Sequence, residues 1–315
     1  MPFKLPNSSP LAADEPYSRL PMDLPSYLAE RTALVDAALD AFLPAEDASP
    51  ALIHRAMRYS LFAGGKRLRP VLCLAAAEAC GGSLEAAMPA ACAVETLHTY
   101  TLIHDDLPCM DDDELRRGRP TNHKVFGEGI AVLAGDALLT EAFAMLARTP
   151  ANASYGAADY VLELAAAGGS RQLIGGQVLD LEGEGRSLSM EELKAIHNGK
   201  TAALLAASVR LGGMSAGCTP EQLAALTAYG MKAGLAFQII DDILDIVSTP
   251  EAMGKSIGKD ARDGKATYPA LAGLDAARAE ARTLTQEARA ALDVLTPEAR
   301  EALLALNDYL LNRNY

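Results

Sequence analysis

From Ser26 to the C-terminus, apolar residues recur at spacings of three and four, with almost no alternating stretch between them. That is the period of helices, not of strands. The rhythm runs through 28–43, 50–63, 84–106, 129–147, 155–180, 189–212, 219–247 and 267–313, which predicts about ten helices. Helix starts are written into the chain. Thr219-Pro220-Glu221-Gln222 offers an N-cap, a Pro in the first turn and a Gln three residues on, and Ser189 with Glu192 repeats the capping-box spacing. Thr296-Pro297-Glu298 opens the last helix in the same way. Ala and Leu dominate, aromatics are 5% and Trp is absent, so the helices carry small side chains suited to close packing. No Pro-, Gly- or Ser-rich linker divides the chain. The expected architecture is therefore all-α: one domain over residues 25–315, a bundle of helices around a central cavity, behind a flexible N-terminal arm over 1–24.

The net charge of −13 and pI near 4.9 argue against a nucleic-acid partner, which needs a basic face to displace counterions. The five cysteines, Cys73, Cys80, Cys92, Cys109 and Cys218, are odd in number and form no CxxC pair. A disulfide framework or zinc site is not expected, and the reading is a reduced, cytoplasmic compartment. The opening MPFKLPNSSPLAADEP has no apolar core of a signal peptide, and no run of about 18 uncharged apolar residues suggests a membrane span.

Two acidic clusters interrupt the apolar helices. HDDLPCMDDDELRRGRP, residues 104–120, packs six carboxylates between Asp105 and Glu114 before turning basic. FQIIDDILDI, residues 237–246, places Asp241 and Asp245 four apart on one helix face with Asp242 adjacent. Like charges at that spacing destabilise a helix, so a hard divalent cation is the economical compensator; Mg²⁺ takes one or two carboxylates with phosphate oxygens and water. The first cluster is irregular. Asp111 lies six residues after Asp105, a poor fit to helical geometry, and Pro108 distorts the turn, so periodicity leaves open which of Asp111, Asp112 and Asp113 points inward. Either cluster alone reads as a solvated acidic helix end. Both together, flanked by apolar helix, point to a shared pocket. Cations supply the complement: Lys66, Arg67 and Arg69 in GGKRLRP, Arg116 and Arg117 after the first cluster, and Lys200, Lys255, Lys259 and Lys265 in the second half. Gly-flanked cations beside carboxylates suit two anions, one held through metal and one directly.

These motifs, in order GGKRLRP, LIHDDLPCMDDDELRRGRPTNHK, LAGDALLTEAF, GGQVLDLEGE, NGKTAALL, FQIIDDILDI and GKDARDGKATYP, resemble the trans-isoprenyl diphosphate synthases over residues 28–313, and among them the bacterial short-chain farnesyl diphosphate synthases. The resemblance implies the isoprenoid synthase fold, usually as a homodimer, and condensation of isopentenyl diphosphate with allylic diphosphates through an allylic carbocation. It implies Mg²⁺, with Mn²⁺ as a substitute, held by Asp105, Asp106 and Asp111 and by Asp241 with Asp242 and Asp245. Arg116, Lys200 and Lys255 would bind the allylic diphosphate, and Lys66, Arg69, His98 and Arg117 the isopentenyl diphosphate. Thr201, Gln238 and Lys265 match positions lining the allylic chain, where dipoles stabilise a developing cation. His98 lies seven residues before Asp105, on nearly the same face, while His104 is expected to be structural and Cys109 has no role.

Product length should follow from what blocks the cavity below the first motif. Tyr100, five residues before Asp105, is the expected floor and predicts a C15 product; small Thr101 beside it keeps a C20 product, geranylgeranyl diphosphate, as the alternative. A terpene cyclase would have no use for Lys66, Arg69 and His98, and a non-catalytic partner subunit would tend to lose carboxylates that here are complete.

Overall fold

Side-chain caps cut the helical sequence into its elements. In the computed structural model, which describes residues 22–247 and 265–312, helix α1 (Leu24–Phe42) begins where the Asp23 carboxylate accepts the Ser26 N–H. The chain continues through α2 (Ala51–Leu61), α3 (Leu68–Ala79) and the long α4 (Leu84–Asp105). A two-residue hairpin, β1 (Leu115–Arg116) with β2 (Arg119–Pro120), leads to α5 (Asn122–Phe126) and α6 (Glu128–Leu146). Then follow α7 (Ala157–Gly168), α8 (Leu173–Gly183), α9 (Met190–His197), a π-helical turn (Asn198–Ala202), α10 (Ala203–Ser215) and α11 (Pro220–Val247). After the undescribed segment come α12 (Tyr268–Ala272), α13 (Leu274–Ala291) and α14 (Pro297–Leu311). The three predicted starts form as read. Thr219 and Gln222 exchange reciprocal hydrogen bonds, Ser189 and Glu192 do the same, and Thr296 accepts the Ala299 N–H.

Fourteen α-helices occur among the described residues, against the ten expected. Helices α3 and α5 lie outside every run read from the sequence, and the rest of the excess comes from breaks that apolar periodicity does not register. The run 155–180 splits after Gly168-Gly169, where a Cβ on Gly169 would meet the Ala165 carbonyl oxygen at 2.6 Å. The run 267–313 splits at Gly273, whose φ of 86° suits glycine, and again at the Thr296 cap. Of the predicted arm, residues 1–21 lie outside the described residues; its last positions already lead into α1.

Helix α10 forms the middle of the bundle, packing on α3, α4, α7 and α11. It gets there by glycine. A Cβ on Gly212 would overlap the Cys73 carbonyl oxygen of α3, and Cβ atoms on Gly230 and Gly234 of α11 would lie 2.5 Å from the Cα atoms of Ala206 and Ala202. Backbones cross almost in contact, which positions the functional ends of these helices to within a fraction of a side chain. Helix α4, lined by Ala and Cys on its buried faces, packs against α6.

The sequence reading found no long uncharged run, yet α6 and α11 are each long and apolar enough on average to cross a membrane. The difference is physical. Isolated charges, Asp136 and Glu141 in α6 and Lys232 in α11, interrupt each run without lowering its mean hydropathy much; 56% of the apolar window of α11 and 39% of that of α6 are buried inside the bundle.

Gly212→Ala should destabilise the fold by about 2–3 kcal/mol through overpacking against α3, measured by urea unfolding. Unchanged stability would mean that the crossing is looser than described.

Candidate active site

The last turn of α4 delivers Asp105 and Asp106. Beyond it the chain does not continue as helix: Met110 and Asp112 both donate backbone N–H groups to the Leu107 carbonyl, and Asp111 N–H donates to the Asp105 carbonyl at 2.8 Å. This compact turn folds Asp111 back over the helix end and resolves the awkward spacing of six. Asp111 is half-buried, whereas Asp112, at a left-handed φ of 48°, is exposed. Burial, with Asp111 nearby, raises the Asp105 pKa to about 6 in spite of the attraction of Lys200. Asp106, also expected to bind metal, is buried and ion-paired. Arg116 Nε lies 2.8 and 2.9 Å from its two oxygens and Nη2 lies 2.6 Å from Oδ1, so both members of that pair are engaged with each other. Arg116 also lies 3.7 Å from Asp113.

Across the site, α11 presents Asp241, Asp242 and Asp245. Asp242 is buried and accepts the Gln238 side-chain amide at 3.1 Å and the Tyr268 N–H at 2.8 Å, with His197 Nε2 at 3.5 Å. It thereby ties α12 to α11, a structural task that sequence gave no hint of. His197, on α9, is kept neutral because burial lowers its pKa to about 4. Asp245 is also buried, and Asp241 is half-buried at the end of this helix.

The segment NGKTA forms the π-helical turn. Such bulges occur often at functional sites, because one extra residue re-aims its neighbours. Here Thr201 donates its hydroxyl to Gln238 Oε1 at 2.8 Å, and Lys200 Nζ donates to Asp180 Oδ2 at 2.7 Å. The contact with α8 is again through glycine: a Cβ on Gly176 would overlap the Lys200 backbone nitrogen. Lys265 Nζ lies 2.9 Å from Asp111, 3.8 Å from Asp180 and 3.9 Å from Glu184. Burial pulls its pKa down, yet these carboxylates outweigh it and hold the ammonium firmly charged. Asp180, in the motif GGQVLDLEGE, was given no role by sequence; its signal is a carboxylate inside an apolar helix with a second, Glu184, four residues on.

A second group of cations gathers beside α4. Burial first, then Arg69, Arg117, Arg116 and Arg67, push the His98 pKa well below its ordinary value, so the imidazole is neutral and faces a cationic wall. Arg117 donates to the Gly64 carbonyl, and its guanidinium lies over Gly65, where a Cβ would come within 2.6 Å. Lys66 Nζ sits 5.5 Å from the Tyr309 ring centroid on α14. Arg67 is different. Its guanidinium is buried on Asp36, Glu95 and the Leu61 carbonyl, and it holds the loop in place from a left-handed φ of 48°. Lys255 and Lys259 lie outside the described residues.

His104 is structural, as expected. Its Nε2 lies 3.0 Å from the Val132 carbonyl, and its ring fills the space left by Gly135 of α6. Tyr100 shares that face. Its ring meets His104 edge-on at 5.7 Å, its hydroxyl is buried without a hydrogen-bond partner among the described residues, and burial, then the nearby Asp105 charge, pushes its pKa up to about 12.

The donor set around Asp105, Asp111, Asp241 and Asp245 is hard oxygen throughout, which suits Mg²⁺. Among the described residues no group of three or more ligating side chains closes into a cage. That fits a metal that completes its shell with phosphate oxygens and water.

Comparison with known proteins identifies the family. Residues 50–300 match the family model described as polyprenyl synthetase. The chain is 48% identical over 309 residues, 96% of this chain and 82% of the relative, to the Arabidopsis thaliana heterodimeric geranylgeranyl pyrophosphate synthase large subunit 1, chloroplastic. It superposes with a TM-score of 0.82 on an FPP/GFPP synthase from Zymomonas mobilis, at 34% identity and covering 92% and 99% of the two chains. With geranylgeranyl pyrophosphate synthetase from Pyrococcus horikoshii the TM-score is 0.85, at 32% identity over 93% and 99%. The chain is a prenyltransferase of the polyprenyl synthetase family, with the all-α fold of the isoprenoid synthases.

Proposed function

We propose that this enzyme condenses isopentenyl diphosphate head-to-tail with allylic diphosphates and stops at geranylgeranyl diphosphate, the C20 alternative rather than the farnesyl product that Tyr100 first suggested. The observation that carries this is angular. His98, Thr101 and Asp105 are spaced by three and four and share one face of α4, whereas the Tyr100 ring turns edge-on to His104, whose Nε2 reaches the Val132 carbonyl of α6, while the Asp105 charge still reaches the Tyr100 hydroxyl. The side chain beneath Asp105 is then the small Thr101, its hydroxyl turned back to the His98 carbonyl at 2.8 Å. A small residue there leaves depth for a longer chain. Relatives named as geranylgeranyl diphosphate synthases, including those of Capsicum annuum and Cyanophora paradoxa, support the same reading.

In this reading Asp105 and Asp111 hold Mg²⁺ from one side and Asp241 with Asp245 from the other, while Asp106 orients Arg116. Bound Mg²⁺ supplies charge neutralisation of the allylic diphosphate, so that the C–O bond can break heterolytically. Lys200, Arg116 and Lys255 bind the same diphosphate. Lys66, Arg69, neutral His98 and Arg117 grip the diphosphate of isopentenyl diphosphate and orient its double bond toward the allylic carbon. Thr201 polarises Gln238, whose carbonyl dipole faces the developing cation. Attack of the double bond forms the new C–C bond, and the departing pyrophosphate accepts the proton that is lost.

We further propose one domain and a homodimer. Exposed Val132 and Leu133 on α6 and Leu162 on α7 give a second copy an apolar face, although one relative is named as a heterodimer subunit. All five cysteines are free thiols, which supports a reducing compartment such as the cytoplasm; several relatives are named as chloroplastic.

Purified protein incubated with Mg²⁺, isopentenyl diphosphate and dimethylallyl diphosphate should yield a dominant C20 product. A dominant C15 product would restore Tyr100 as the floor, and no condensation would refute the function. Thr101→Phe should shorten the product and Tyr100→Ala should leave it at C20; a longer product from Tyr100→Ala would refute the angular argument. Asp241→Ala should lower kcat by about 10³-fold, and near-normal turnover would remove it from the metal-binding set.

Stability gives a separate check. The folded-state pKa of Asp105 lies above its unfolded value, so this carboxyl favours folding below pH 4 and loses that contribution as pH rises through about 6. At pH 7.5 without metal, Asp105→Asn should therefore be inactive yet more stable by roughly 2–3 kcal/mol. A drop in unfolding midpoint would contradict the assigned burial.

A further inference from the structure

Lys265 and Asp180 are placed as no substrate-binding role alone requires. The Lys265 ammonium is 2.9 Å from Asp111 Oδ1, on a carboxylate that a cation would have to share. One oxygen of Asp180 receives Lys200 at 2.7 Å and stands 3.8 Å from Lys265; Glu184, four residues on and at the end of the same helix, lies 3.9 Å from Lys265. Lys265, Asp111 and Asp180 are all less than a fifth exposed, so these charges interact through little water.

We propose that Lys265 is the resident counter-ion of the first acidic motif, displaced when a divalent cation binds, and that Asp180 with Glu184 receives the displaced ammonium. Asp180 is a positioning residue in this scheme. It holds Lys200 at the mouth of the site and gives Lys265 a second, nearby berth, so that metal entry exchanges one ion pair for another instead of stranding a buried charge. Two consequences follow. The free enzyme binds divalent cations weakly, since each must compete with an ammonium already in place. A diphosphate entering with the metal favours exchange, because it offers the displaced lysine a new anionic partner. The inference rests on the metal-binding reading of Asp105 and Asp111 given above.

The test is Mn²⁺ binding followed by electron paramagnetic resonance on the full-length protein, with and without inorganic pyrophosphate. Lys265→Gln should tighten Mn²⁺ binding to the free enzyme by about ten-fold, while Asp180→Asn, which removes the alternative berth, should weaken it by about five-fold. In the double variant the Asp180→Asn effect should shrink to less than half, because the group it accommodates is gone. Circular dichroism of each variant establishes that it is folded. If Lys265→Gln leaves Mn²⁺ affinity unchanged or weakens it while wild-type protein binds Mn²⁺ with pyrophosphate, the exchange is refuted and the metal site stands. If the wild-type protein binds no Mn²⁺ under either condition, both fall.

Discussion

Carboxylates carried on apolar helices repel one another and lose hydration as the bundle closes, and the upper end of this molecule is organised around compensating them. Asp105 shows the unrelieved part of that cost in a pKa raised to about 6. Elsewhere the compensation is specific: Arg116 clasps Asp106, Lys265 reaches Asp111, Lys200 reaches Asp180, and Asp242 is held by an amide and a backbone N–H. The result is a site whose charges are largely paired with one another. Under the proposed function, a metal and a diphosphate together would replace ion pairs that neither could replace singly.

The backbone makes this arrangement rigid by bringing helices closer than side chains allow. Glycines at 176, 212, 230 and 234 let α8, α3 and α11 touch the line formed by the π-turn and α10, and each contact is with backbone or Cα atoms. Lys200, Thr201 and Gln238 therefore sit on elements that have little freedom to move apart. On the other side, the Gly64-Gly65 loop lets the Arg117 guanidinium lie flat on the backbone, beside His98 and Arg69. Two charged groups result, one rich in carboxylates and lysines and one in arginines, on either side of the end of α4.

Much of this was legible in the residues. The helical period and the capping pairs marked elements because both are local, and the two acidic clusters marked where charge gathers. What stayed hidden depends on backbone geometry or distant partners. Asp111 is brought to Asp105 by a turn, not by helical phase, and the left-handed Asp112 that allows it carries no sequence mark of its own. The π-turn at Asn198–Ala202 looks like ordinary helix in an apolar pattern. Arg67 reads like its neighbours Lys66 and Arg69, but only the fold brings Asp36 and Glu95 to bury it. Tyr100 was read by its distance along the axis from Asp105, which does not show that its ring turns toward His104.

The central claim is that carboxylates from α4 and α11 hold one metal diphosphate between them. The most direct measurement is anomalous diffraction from crystals grown with Mn²⁺ and a non-cleavable allylic thiolodiphosphate. The account predicts Mn²⁺ peaks bridging the ligand's phosphates to Asp105 and Asp111 on one side and to Asp241 on the other, with Lys265 withdrawn from Asp111. Peaks on one motif only, or a diphosphate bound with no Mn²⁺ between it and these aspartates, would contradict it.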